Sequence, residues 1–301
     1  MRVTVPNLRR ERLRTDPWGL RRTIGRDGRE LIADGIGRDE PVDILLGGSF
    51  CFGVGASGDE TTLASALAQR TGRATLNLGG YSLTLAQNFI QFMFFCGRYA
   101  NIRNVVIAGF NEIFHFYACD AIFRRYGMFL FNTRFLEAMN GALTEQRRHA
   151  LFGAEQRPFL PLTHRPENEQ RERALLNSTI EETLGTLARH SSAIGARLVV
   201  MTQPTALLQQ RKTAPEEDEL FAHYDAASGI AAQYHRAVRS HAEWHRADMT
   251  ALAETLGFDY VEINDLIGSS QDGAWLFVDR VHMTDLGYAT IADILAERLA
   301  G

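Results

Sequence analysis

The sequence predicts an α/β protein, a three-layer α/β/α sandwich built on about five parallel strands. Three observations lead there. Five short apolar runs are bounded by glycine or polar residues, as buried strands are. Stretches of helical period alternate with them, and strand–helix alternation implies a parallel sheet. The runs lack in/out alternation, so both faces of that sheet are covered. With 301 residues, 45% hydrophobic and 23% charged, the chain is long enough for one large core or two small ones. Disordered, collagenous and disulfide-scaffold classes are excluded.

Residues 1–40 form a lead-in segment. Pro17, Gly19, Gly25, Gly28, Gly35 and Gly37 punctuate it, which predicts loops and short strands. The nine arginines of its first 31 residues read most simply as a solvated face, with an anionic substrate or polymer as the second reading. Residues 41–301 then read as a single domain. The first strand, 42–46, ends in Gly47-Gly48, and a helix over 61–71 carries Leu63, Ala64, Leu67 and Ala68 on one face with Gly72 as its stop. A second strand at 74–78 precedes a helix over 84–99. The third strand spans 104–108 and opens into an enlarged helical section around 114–196, with a loop at 158–166 and a helix over 168–190. A fourth strand at 197–201, a helix over 219–256, a fifth strand at 258–262 and a closing helix over 284–299 complete the chain.

Thirty-two basic against 36 acidic residues give a formal charge of −4, which argues against nucleic acid as the partner. Lys212 is the only lysine, so Schiff-base and Ser-Lys mechanisms have one candidate, in a charged, loop-like stretch beside Pro215-Glu216-Glu217-Asp218. Cys51, Cys96 and Cys119 lack metal-knuckle spacing and fit a reducing compartment. No secretory signal is readable. Residues 74–97 carry no formal charge, but Asn77, Gly79-Gly80, Gln87, Asn88 and Gln91 break them, so they read as strand plus buried helix and not as a membrane span. A cytoplasmic protein is expected.

Ligands of an open parallel sheet bind at the carboxyl ends of its strands, so the residues that follow each strand carry the chemistry. After strand one comes Gly47-Gly48-Ser49-Phe50-Cys51-Phe52-Gly53, after strand two Asn77-Leu78-Gly79-Gly80-Tyr81-Ser82, and after strand three Gly109-Phe110-Asn111-Glu112. Asp279-Arg280-Val281-His282 precedes the last helix. A serine nucleophile needs a base to take its proton, and the base needs a carboxylate to orient it. Ser49, His282 and Asp279 supply these groups. The oxyanion formed on attack needs donors fixed in advance: the Ser49 N–H, a glycine N–H at Gly80 or alternatively Gly79, and the Asn111 amide. Gly79, Tyr81, Phe110, Phe114 and His115 adjoin these blocks and are candidate substrate-lining residues, although His115 reads first as a packed or surface histidine.

These four blocks resemble those of the SGNH hydrolases, the GDSL-like esterases and lipases. The matching residues are Ser49, Gly80, Asn111 and His282, with Asp279 as the aspartate three before the histidine. Residues 45–67 resemble especially a branch associated with modification of carbohydrates and cell-surface polymers. The resemblance spans residue 45 to the C-terminus, with no motif between Phe114 and about Ala196. It implies a flavodoxin-like sandwich, ester or thioester hydrolysis through an acyl-serine on an acylated sugar or other small acyl substrate, and no cofactor or metal. The chain departs from the family at Gly48 and Glu112, where aspartates are usual, and block two is compressed.

Two other functions use the same residues: acyl transfer to an alcohol, or a degenerate site that only binds. Outside the blocks, His241 and His245 with His235 have a spacing that can bind zinc, but an exposed polar helix face is the better reading. Eleven of 18 phenylalanines fall between Phe89 and Phe135. Phe89, Phe92 and Phe95 fit a core. The remaining cluster, from Phe114 to Phe135, reads as an acyl-binding wall or as a contact in a homo-oligomer.

Overall fold

The computed structural model describes residues 5–109, 112, 169–227 and 231–300. Residues 114–168 of the section expected around 114–196, the loop at 158–166 among them, and Asn111, Phe110, Phe114, His115 and Cys119 lie outside the described residues.

Residues 5–40 form two antiparallel pairs of two-residue strands, β1 (Arg9–Arg10) with β2 (Leu13–Arg14) and β3 (Thr23–Ile24) with β4 (Glu30–Leu31). The main sheet has five parallel strands: β5 (Val42–Leu46), β6 (Ala74–Asn77), β7 (Ile102–Ala108), β8 (Arg197–Met201) and β9 (Asp259–Val261). Their order is β6-β5-β7-β8-β9. The chain winds outward in one direction from β5 to β6 and in the other from β7 onward, so the direction of winding reverses between the carboxyl ends of β5 and β7, where ligands of such sheets bind. The α/β sandwich expected from the sequence is the architecture found.

Side chains along each strand alternate between two cores, as a period of two requires. Val42, Ile44, Leu46, Val105, Ile107, Leu198 and Val200 face one side. There they meet α3 (Leu85–Cys96), α4 (Glu169–Ala193) and α6 (Ala231–Leu256). Leu45, Val106, Val199, Met201 and Val261 face the other, against α1 (Ser49–Phe52), α2 (Leu63–Thr71) and α8 (Asp285–Leu299). Two further helices, α5 (Pro215–Ala227) and α7 (Ile263–Leu266), border β8 and β9 in sequence. The N-terminal segment belongs to the same body, because Leu20, Leu31, Ala33 and Ile36 are buried in the first core.

Several details differ from expectation. The single helix expected over 219–256 is two, and α5 begins earlier, at Pro215, where proline suits a first helical position. Lys212 lies in the loop just before α5, as expected. His241 and His245 are buried rather than solvated, since α6 packs on α4 and turns that side inward. Burial holds the His245 imidazole low, at about 4. Phe92 and Phe95 are buried and Phe89 is half-buried, while Phe94 is 59% exposed. No helix among the described residues is long and apolar enough to cross a membrane.

Candidate active site

Ser49 opens α1 immediately after β5, and close backbone packing puts it there. A Cβ on Gly47 would lie 2.6 Å from Cys51 Cβ and 2.7 Å from Ala108 O, so only glycine lets β5 turn beside the end of β7. A Cβ on Gly79 would lie 2.5 Å from the Phe52 nitrogen, so the loop after β6 can press onto α1 only without a side chain. Asn77, at the end of β6, donates from Nδ2 to Cys51 O at 3.1 Å and accepts the Gly79 N–H at 2.8 Å. Asn88 of α3 accepts the Gly47 N–H at 3.1 Å.

Opposite Ser49, residues 277–283 make a tight reversal between Phe277 and Met283, closed by Val278 N–H to His282 O at 2.9 Å. Asp279 Oδ1 accepts the N–H groups of Val281 and His282, each at 2.8 Å. Its Oδ2 lies 2.6 Å from His282 Nδ1, and His282 Nε2 lies 2.7 Å from Ser49 Oγ. Two residues separated by 233 positions thus share a hydrogen bond at the carboxyl edge of the sheet. Burial pushes the Asp279 carboxyl up, but the hydrogen bond and charge of His282 with the two N–H donors outweigh it, and the group sits below its ordinary value. Both side chains keep some solvent contact, 18% for His282 and 24% for Asp279.

The chain is similar in course to several solved structures. One is an alpha/beta hydrolase enzyme from the metagenome of Lake Arreo, Spain, at 12% identity over 88% of this chain and 98% of that one, TM-score 0.45. A second is a protein assigned to the SGNH hydrolases from Slackia heliotrinireducens, at 14% identity over 86% of this chain and 98% of that one, TM-score 0.44. A third is an acetylxylan esterase from Geobacillus stearothermophilus, at 15% identity over 88% of this chain and 96% of that one, TM-score 0.42. No protein-family model and no curated protein matches the chain. The chemistry therefore rests on the side chains.

The expected oxyanion donors differ in their engagement. The Ser49 N–H, in the first turn of α1, has no acceptor within its helix. The Gly79 N–H is held at 2.8 Å by Asn77, whereas the Gly80 N–H reaches Gly47 O at 3.2 Å. Tyr81 packs on Phe52 with ring centroids 4.8 Å apart and is 40% exposed. Glu112 is fully buried, accepts the Leu85 N–H at the start of α3, and is pushed by burial up to about 8. Among the described residues, no three His, Cys, Asp or Glu side chains are grouped to hold a metal ion.

Sequence reasoning missed the residues that hold these turns. Tyr288 of α8 directs its hydroxyl at Phe50 O (3.1 Å) and Val54 O (2.6 Å) at the far end of α1. Glu217 in the first turn of α5, completely buried, accepts the N–H groups of Leu276 and Phe277 at 2.9 Å each and pairs with Arg211 at 2.5 Å. Thr205 donates to Arg280 O at 2.9 Å and Gln203 to Val281 O at 3.3 Å. The Arg280 side chain lies 4.2 Å from the Phe221 ring centroid and pairs with Asp225 at 2.5 Å. Arg21, expected on a solvated face, is only 4% exposed. The one usable signal was Pro215-x-Glu217, an acidic first turn led by proline.

Proposed function

We propose that the protein is a serine hydrolase of the SGNH type that cleaves a carboxylic ester through an acyl-enzyme. The observation that carries this reading is the unbroken hydrogen-bonded series Ser49 Oγ, His282 Nε2, His282 Nδ1, Asp279 Oδ2, with links of 2.7 and 2.6 Å. Ser49 Oγ attacks the acyl carbon while its proton passes to His282 Nε2. Asp279 orients the ring and stabilises the imidazolium. The C–O bond then breaks, and His282 returns the proton to the departing alcohol. Water attacks the acyl-serine with His282 as base again, releasing the acid and restoring Ser49.

The developing oxyanion is held by the Ser49 N–H, the Gly80 N–H and the Asn111 amide. Gly80 is preferred over Gly79 because its existing contact is the longer and the easier to exchange. The substrate is a small acyl group on a sugar or comparable alcohol. Tyr81 supports this, offering a fixed, partly exposed ring face beside Gly80. Ser49→Ala is expected to lower kcat on p-nitrophenyl acetate by about 10⁴-fold or more while circular dichroism is unchanged. Wild-type turnover in that variant would refute the reading.

A further inference from the structure

We infer that Arg21 is a positioning residue for the nucleophile, reaching in from the N-terminal segment to fix the far end of the helix that Ser49 begins. This rests on the serine hydrolase reading above. α1 has only four residues, too short to be stable by itself, so its orientation must come from outside. Its last carbonyls point away from Ser49 and lack helical partners. Arg21 Nη1 donates to Gly53 O at 2.6 Å and Phe52 O at 3.4 Å. Nη2 donates to Arg12 O at 2.9 Å and Gly58 O at 3.0 Å, and Nε to Asp59 Oδ1 at 3.0 Å.

A guanidinium has five N–H donors, and these contacts engage all five. Desolvating a guanidinium is costly unless every donor is used and a counter-charge is near. Asp59 supplies that charge, its side chain 2% exposed, and is itself held by Arg14 at 3.1 Å. The planar fork spans the end of α1 and the Gly58–Asp59 turn in one rigid piece, which a lysine ammonium cannot do. Attachment of the N-terminal segment needs none of this, because Leu20, Leu31, Ala33 and Ile36 already bury it. The cation also favours the carbonyl end of α1, whose opposite end faces the reacting oxygen.

The test uses the full chain with Arg21→Met, Arg21→Lys and Arg21→Ala, assayed on p-nitrophenyl acetate well below each variant's melting temperature. Displacing the nucleophile without touching substrate lowers kcat by about tenfold or more in Arg21→Met and leaves KM within about twofold. The rate of Ser49 labelling by a fluorophosphonate falls in parallel. Guanidinium ion at non-denaturing concentration restores kcat in Arg21→Ala. If Arg21→Met and Arg21→Ala do not fold, Arg21→Lys carries the test, with kcat expected to fall at unchanged KM. Wild-type kcat in any folded variant, or a loss expressed only in KM, overturns the inference and leaves the proposed activity standing. A wild-type protein that neither turns over the ester nor labels at Ser49 overturns both.

Discussion

The turn that carries Ser49 and the turn that carries His282 meet across a 2.7 Å hydrogen bond but are built in opposite senses. The serine turn ends in carbonyls, and the groups that brace that end are donors, although Asn88 accepts the Gly47 N–H ahead of it: Asn77 on Cys51 O, Tyr288 on Phe50 O and Val54 O, Arg21 on Phe52 O and Gly53 O. The histidine turn presents N–H groups, and its main braces are acceptors: Asp279 on Val281 and His282, Glu217 on Leu276 and Phe277. Each side thus needs a buried charge of a different sign. The polarity of the orphaned backbone decides which one.

The heaviest blow to this symmetry is Glu217→Gln. It leaves Arg211, whose side chain is 1% exposed, buried without its counter-charge, and about 3–5 kcal/mol of stability should be lost in urea unfolding. A loss below about 1 kcal/mol would mean that the histidine turn does not depend on this pair. Tyr288→Phe strips a hydroxyl from the serine side. With two carbonyls left to share fewer donors, the same measurement should show a loss of about 1–3 kcal/mol.

Glu112 sharpens the comparison through pH. Its folded value of about 8 lies above the ordinary carboxyl value of about 4.3, so folding takes up a proton between the two. The stability this contributes is complete below about pH 4.3 and is lost as pH rises through 8. Melting temperature should therefore decline across this window from this group, and Glu112→Gln should flatten the decline. An unchanged slope would place the titrating group elsewhere.

How far the sequence could be read follows the same division. Buried parallel strands announce themselves as continuous apolar runs, and β5, β7 and β8 were expected within two residues of where they lie. That Ser49, Asp279 and His282 come together was legible because Ser49 follows a strand and the other two precede the last helix. The braces were not. Nine arginines crowd the first 31 residues, and the one that is saturated binds mainly backbone atoms, three of them 31 to 37 positions away, which have no sequence signature. Glu217 stands between Glu216 and Asp218, and composition cannot tell which of three acids points inward. Asn77 and Asn88 did interrupt the apolarity of an uncharged stretch. They served to argue against a membrane span, although their amides reach the turns at Cys51 and Gly47.

The central claim is that His282 activates Ser49, and fluorophosphonate labelling followed by peptide mass mapping tests it most directly. A single adduct on Ser49 in the native protein, lost on heat denaturation and strongly slowed in His282→Ala, is the predicted result. An adduct elsewhere, none at all, or labelling of Ser49 at an equal rate without the imidazole would contradict it.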